Sequence, residues 1–251
     1  MPRIPSIAAG NRLLAGLPRQ EIRHFLVHCE QVELEFADVL AEPGEAIRYI
    51  YFPTESFISL IARISDNASL EVGLVGNEGM LGAAIILDVE VSPLHALVQG
   101  AGSALRMEVG LFRRELELCP ALQHVLKRYL FVVMGQLAQT AACNRFHLVE
   151  ARLARWLLMT QDRAHADAFH ITHEFLAAML GVRRVGVTKA ATALQNHKLI
   201  SYHRGSITVL DRSGLENAAC SCYAADKATY ARTLTAQSVQ EKPPVYLKNI
   251  A

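Results

Sequence analysis

The chain has 251 residues, of which 51% are hydrophobic and 20% charged, with a formal net charge of +1. That balance describes a globular protein with a sizeable core and excludes a disordered or fibrous one. Five scattered cysteines, an odd number, fit a reduced compartment better than a disulfide framework. The opening MPRIPSIAAGNRLLAGLP lacks the continuous apolar core of a signal peptide, and YLFVVM at 129–134 is too short to cross a bilayer. A cytoplasmic location with no membrane partner is therefore expected.

Residues 13–28 place Leu13, Leu14, Leu17, Ile22, Phe25 and Leu26 at helical spacing. The period then changes to two. Val32–Phe36 alternates, Glu42-Pro43-Gly44-Glu45 turns, and 47–52 and 57–64 read as strands. Ser65-Asp66-Asn67 turns again before a strand over 70–75, and Gly76-Asn77-Glu78-Gly79 reads as a plain β-turn. Segments 94–98 and 103–109 complete a series of short strands, as in an antiparallel sandwich or roll.

A long helix follows, with Pro120 in its first turn. Leu122, Val125, Leu126, Tyr129, Val133, Leu137 and Ala141 mark a seam, and Leu130, Val132 and Met134 add apolar surface beside it. A helix apolar on more than one face needs more than one partner: a second copy could cover one face, or the whole helix could be core. Residues 144–150 read as a hinge, 151–163 as a helix carrying Trp156, and 164–168 as a loop.

ITHEFLAAMLGVRRVGVTKAATALQNHKLI, residues 171–200, is the most informative stretch. Thr172 is a good N-cap, and Phe175, Leu176, Met179 and Leu180 form an apolar stripe. Gly181 supplies a helix-ending left-handed turn. A second helix follows, with Val185, Ala190, Ala193 and Leu194 as its inner face and Arg183, Arg184, Thr188 and Lys189 directed elsewhere. SYHRGSITVLD then predicts a hairpin turning at Arg204-Gly205. Helix, turn, helix and hairpin make a winged helix, whose basic second helix suits a DNA major groove. Residues 183–204 hold Arg183, Arg184, Lys189, Lys198 and Arg204 without an Asp or Glu, so the positive charge is local although the net charge is small. Ser213-Gly214-Leu215-Glu216 matches a capping box that opens a last helix, and residues 237–251 read as a loose tail.

In this order the parts resemble the cAMP-receptor/fumarate-nitrate regulator (Crp/Fnr) family of bacterial transcription factors. LGVRRVGVTKAATALQNHKLI, EPGEAIRYIYFPTESFISLI and ACNRFHLVEARLARWLL carry the resemblance, which spans about residues 13–222 and is strongest in the DNA-binding part. It implies an α+β fold. A β-roll sensor over 1–112, cyclic-nucleotide-binding-like but degenerate, leads to a long dimerisation helix and hinge over 113–147. A winged helix-turn-helix over 148–236 and the tail over 237–251 follow.

Its implied partners are double-stranded DNA at a pseudo-palindromic site, a second copy of the chain, RNA polymerase and an unnamed small-molecule effector. Thr172, His173, Arg183, Arg184, Val185, Val187, Thr188, Lys189 and Arg204 fall on its DNA-contacting positions. Arg184 matches the family's guanine-reading arginine, while Val185 stands where a cytosine-reading glutamate is usual. Leu126, Tyr129, Leu130, Val133, Leu137 and Ala141 fall on the dimer helix.

The nucleotide-binding positions fall on Gly82, Ala83, Pro93 and Leu94, with Leu137 and Ala138 on the long helix. No Lys or Arg occurs from Gly82 to Leu105, so a buried cyclic phosphate would lack a cation. A protein that does not respond to cAMP is expected.

No cofactor, metal ligand set or enzyme signature is assigned; neither a phosphate-cradling Gly-Lys loop nor a nucleophile elbow is present. His24 and His28, one helical turn apart beside Cys29, lack nameable further ligands and read as a polar helix face. The N-terminal cysteine cluster of iron–sulfur family members is absent, since no cysteine precedes Cys29. Cys119 reads as packing, and Cys143 lies on the long helix. The CxC at Cys220 and Cys222 leaves open a sensor whose thiol or histidine chemistry controls DNA binding.

Overall fold

The computed structural model describes residues 10–65 and 68–235. The turn expected at 65–67 and the tail expected over 237–251 thus fall wholly or partly outside the described residues. Two short helices, α1 (Arg12–Ala15) and α2 (Arg19–Val27), precede seven strands: β1 (Glu30–Leu34), β2 (Val39–Ala41), β3 (Tyr49–Pro53), β4 (Phe57–Ser65), β5 (Ala68–Val75), β6 (His95–Gly100) and β7 (Gly102–Glu108). These form two antiparallel sheets, ordered β1-β7-β3 and β2-β6-β4-β5. The sequence alternation finds all but the short β2.

The period of two sends alternate side chains to different cores. Tyr51 and Ala104 join Leu34, Ile58, Val75, Ala96 and Val98 between the sheets. Their neighbours Ile50, Phe52, Leu105 and Met107 face outward onto α1, α2 and the following helices. Asn11 fixes this packing. Its Oδ1 accepts from Leu13 and Leu14 N–H, capping α1, while its Nδ2 donates to Pro53 O and Gly79 O at 2.9 Å each.

Helix α3 (Val109–Leu118) leads into α4 (Pro120–Phe146), a 27-residue helix. Cys119 does more than pack: it is the N-cap of α4, its Sγ accepting from Leu122 N–H at 3.3 Å and meeting Glu21 Oε2 at 2.5 Å. Leu122, Val125, Leu126 and Tyr129 are buried in the core that also takes Phe52, Leu105 and Met107 from the β1-β7-β3 sheet. The sequence seam of α4 is therefore mostly an intramolecular contact. The exposed apolar face carries Phe131 (62% exposed), Met134 (68%) and Leu137 (39%), together with Ala138 and Ala141. At 100° per residue its centre is rotated by roughly 130° from the buried seam.

The chain breaks at His147-Leu148 and enters α5 (Val149–Ala164). Then come β8 (Ala168–His170), α6 (His173–Leu180), α7 (Arg184–Asn196), β9 (Ile200–His203) and β10 (Ser206–Val209), followed by α8 (Arg212–Ala218) and α9 (Cys222–Tyr230). The wing is a three-stranded sheet ordered β8-β10-β9; its additional edge strand, β8, starts at Ala168, the last residue of the expected loop. Helix α8 is capped by Asp211, which accepts from Gly214 N–H at 2.9 Å, rather than by Ser213. Both residue types cap well, and the chain uses the earlier one.

The winged-helix core gathers Leu157, Leu176, Val187, Leu194, Ile207 and Leu215 around α5. Ile61 of β4 joins it, so the roll and the winged helix share buried surface. Among the described residues no helix is long and apolar enough to cross a membrane.

Candidate nucleic-acid interface

The helix pair forms through local rules. Thr172 Oγ1 accepts from Phe175 N–H at 3.1 Å and caps α6. At the other end Gly181 sits at φ 61°, with Val182 N–H reaching Ala177 O and Gly181 N–H reaching Ala178 O. These two bonds are a Schellman ending, which requires the left-handed residue that glycine supplies. The next residues reverse direction and α7 begins at Arg184.

The first turns of α7 present Arg183, Arg184, Val185, Thr188 and Lys189 to solvent. Val185 is 59% exposed and does not belong to the inner face; Val187, Ala190, Ala191 and Leu194 form that face. Val187 is fully buried against the winged-helix core, which corrects its assignment as a DNA-contacting residue. None of the described ion pairs includes Arg183, Arg184, Lys189, Lys198 or Arg204. Their charges face water without a carboxylate, as phosphate or base contacts require.

Arg204 (φ 48°) and Gly205 (φ 83°) are the two central residues of the β9–β10 turn. Both left-handed angles identify a type I′ hairpin, which places exposed Arg204 at the wing tip. Thr172 and His173 brace the interface. His173 stacks on Tyr202 with ring centroids 4.3 Å apart, and its Nδ1 lies 3.0 Å from Thr188 Oγ1. Burial, and then the Arg184 guanidinium, lower its pKa below the usual 6.5 and favour the neutral ring.

The expected effector residues form no comparable site. Gly82 is left-handed at φ 93°, Ala83 opens a 3-10 turn over Ala83–Leu87, and Pro93 is exposed. Leu94 accepts from Ser92 Oγ through its carbonyl, while Leu137 and Ala138 are exposed on α4. A cavity of about 710 Å³ lies elsewhere, among Arg12, Glu78, Gln136, Asp162, Asp226 and Tyr230.

Of the dimerisation residues, Leu126 and Tyr129 are buried inside the protomer and Val133 packs against the same core. That is a correction: those side chains are taken up by the roll. Leu130 is half-buried, whereas Leu137 and Ala141 stay exposed.

Two side-chain clusters have metal-ligand chemistry. His24 Nε2 and His28 Nδ1 both meet Glu115 Oε1, at 3.3 and 3.0 Å, so the histidine pair shields a buried carboxylate. Cys143, His147, Cys220 and Cys222 bring all four ligand atoms within 4.8 Å of one another.

Between roll and winged helix lies buried Glu71 of β5. It accepts from Ser59 Oγ at 2.5 Å and from Trp156 Nε1 of α5 at 2.8 Å. Ser59 also contacts Gln99. Sequence reasoning missed this contact because a lone glutamate in a strand carries no signal of an interdomain partner.

Residues 151–218 match the model of the Crp-like helix-turn-helix domain. Among solved structures, the chain is similar to the c-di-GMP-responsive global regulator CLP of Xanthomonas campestris. The identity is 17% and the TM-score 0.63, covering 76% of this chain and 99% of that one. FixK2 of Bradyrhizobium japonicum is similar at 13% identity and TM-score 0.64, covering 76% and 98%. A CRP/FNR-family transcriptional regulator of Thermus thermophilus is similar at 21% and 0.60, also covering 76% and 98%. At these identities the likeness to solved structures is one of fold. No curated protein matches the chain in sequence.

Burial pushes the Glu71 carboxyl up to about 7 from 4.5, against the hydrogen bonds of Ser59 and Trp156 and the charges of Arg163 and Arg155. A raised carboxyl pKa means that the folded state holds the proton more tightly than the unfolded one. Stability should therefore rise as pH falls from about 7 towards 4.5, and level off below. Glu71→Gln keeps an acceptor for Trp156 without a charge, and should flatten that slope in thermal melts across the interval. An unchanged slope would assign the pH dependence to other groups.

Proposed function

We propose that this chain, a DNA-binding transcription regulator of Crp/Fnr type, works as a homodimer on a pseudo-palindromic site and does not respond to cAMP. The observation that carries this reading is the exposed start of α7, with three cations free of carboxylate partners and a fourth, Arg204, at the wing tip. A guanidinium at Arg184 can donate to guanine O6 and N7 together, and the surrounding cations can engage phosphates. Val185, exposed beside it, lacks an acceptor for cytosine but can touch a thymine methyl. RNA polymerase remains the expected protein partner for such a regulator, and the roll over 1–112 its sensor.

The dimer reading rests on α4. Lys127, Phe131, Met134, Ala138, Ala141 and Arg145 are exposed at alternating spacings of four and three. That is the seam of a two-stranded helical contact, with apolar residues in the middle and cations at its ends. Two copies paired about a two-fold axis would set their α7 helices on two half-sites.

The reading that excludes cAMP rests on the roll. Leu34, Tyr51, Ile58, Val75, Leu81 and Val98 fill the space between its sheets, and the stretch from Gly82 to Leu105 offers no cation to a phosphate. A second reading, thiol- or histidine-based control of DNA binding, draws on the meeting of Cys143, His147, Cys220 and Cys222 beside α5.

Three measurements test these statements. On sites selected from random DNA, Arg184→Ala should cost about 1–3 kcal/mol and relax preference at one base pair of each half-site. Unchanged base preference would remove α7 as the reading helix. The double variant Phe131→Glu, Met134→Glu should sediment as a monomer and bind the palindrome weakly, whereas a dimer of wild-type affinity would place the interface elsewhere. Calorimetry with cAMP should show no binding in the micromolar range; a micromolar isotherm would reject the proposed insensitivity.

A further inference from the structure

We propose that Cys143, His147, Cys220 and Cys222 bind one zinc(II) ion and that this ion clamps the junction between α4, α5 and α9. Cys143 and His147 lie four residues apart across the last turn of α4 and the break that follows it. Cys220 and Cys222 come from the connection into α9, 77 residues further along for the Cys143–Cys220 pair. The fold alone brings the two pairs together.

The geometry fits a tetrahedral ion. Zinc–sulfur bonds of about 2.3 Å and zinc–nitrogen bonds of about 2.0 Å place neighbouring sulfurs about 3.8 Å apart and sulfur and nitrogen about 3.5 Å apart. Here Cys143 Sγ and Cys220 Sγ lie 3.5 Å apart, and Cys222 Sγ lies 3.4 Å from His147 Nδ1. All four ligand atoms lie within 4.8 Å of one another. The three cysteines are buried and free of disulfides, and His147 is half-buried. Three soft sulfurs and one imidazole select zinc over magnesium or calcium, which prefer oxygen. A fully occupied set of four protein ligands is the arrangement of a structural site.

The surroundings match the charge of the loaded site. Three thiolates, one neutral imidazole and one zinc(II) sum to −1. Arg152 is buried and donates to Leu180 O, and none of the described ion pairs includes it. It lines one small cavity together with Cys143 and Arg155. Arg155, also buried beside the cluster, already pairs with Asp226 at 2.7 Å. The net negative site thus supplies the counter-charge that Arg152 lacks. Gln139 Nε2 lies 2.9 Å from Cys222 Sγ and can donate to a bound thiolate, as second-layer groups do around metals. The His24–His28–Glu115 cluster offers three ligands of a different kind, with His24 exposed and one carboxylate oxygen shared by both rings.

The test uses the untagged full-length chain, purified with reduced thiols from zinc-supplemented cells. Elemental analysis should find about one zinc per chain, retained in His24→Ala and lost in Cys222→Ser. Wild-type protein stripped with a chelator should melt at a lower temperature and recover with one equivalent of zinc. Cobalt added instead should give the intense visible bands of a tetrahedral ion and a thiolate-to-metal charge-transfer band. The cobalt titration needs no variant, so misfolding of Cys222→Ser leaves it decisive. Stripped wild type that gives no tetrahedral cobalt spectrum would overturn the proposal. So would zinc content unchanged in folded Cys222→Ser, or a Cys143–Cys220 disulfide in protein isolated without oxygen.

Discussion

The burial of one face of α4 positions everything else in this chain. Leu122, Val125, Leu126 and Tyr129 are buried in one core with Phe52, Leu105 and Met107 of the β1-β7-β3 sheet. A fully buried side chain of this kind contributes about 1.5–3 kcal/mol through removal from water. Four in register hold the helix in a single rotation about its axis. That rotation decides which residues remain outside, and so turns Phe131, Met134, Leu137, Ala138 and Ala141 towards solvent. The tight fit shows at Gly79, where an added Cβ would stand 2.5 Å from the Tyr129 hydroxyl. The turn at 76–79 is more than a connector: Glu78 pairs with Arg163 of α5 at 2.5 Å, and Tyr230 of α9 donates to Glu78 O.

Local signals in the sequence were readable where one element sufficed to produce them. The N-cap at Thr172, the left-handed Gly181 and the Arg204-Gly205 hairpin each follow from the conformational preferences of one or two residues, and each stands where the pattern puts it. The α4 seam was harder because the helix is apolar on two faces. Period alone shows two faces without saying which belongs to the roll, so the rows containing Leu126 and Phe131 are interchangeable until the sheet is in place. Val185 and Val187 show the same ambiguity on a smaller scale. Both are apolar and two residues apart, about 200° around the helix, so only one can face the core.

Long-range chemistry left no trace in linear spacing. Cys143 looks like an ordinary helix residue, His147 like part of a hinge, and Cys220 and Cys222 like an isolated CxC. Their proximity depends on α9 folding back along α4 and α5. Glu71 is similar: its partner Trp156 lies 85 residues away on another domain. In both cases a polar or reactive group is removed from water, and its cost is offset by a partner that only the tertiary fold supplies.

These long-range contacts converge on the attachment of the winged helix. Leu70 of β5 packs so closely on Gly181 that a Cβ there would lie 2.9 Å from Leu70 Cδ1. Arg152 reaches the carbonyl of Leu180, one residue earlier. The turn of the helix-turn-helix therefore rests on the roll from one side and on α5 from the other. At the next residue of β5, Glu71, Trp156 of α5 donates its Nε1–H. Moving α7 relative to α4 requires β5 to part from α6 or both to move together, because Leu70 cannot follow one without leaving the other. A rearrangement confined to the exposed wing would leave this contact intact and alter only the reach of Arg204. A change in the spacing of two α7 helices in a dimer has to pass through the surface shared by β5, α5 and α6 or through the break at His147-Leu148. Those are the connections that tie the winged helix to the body of the protein.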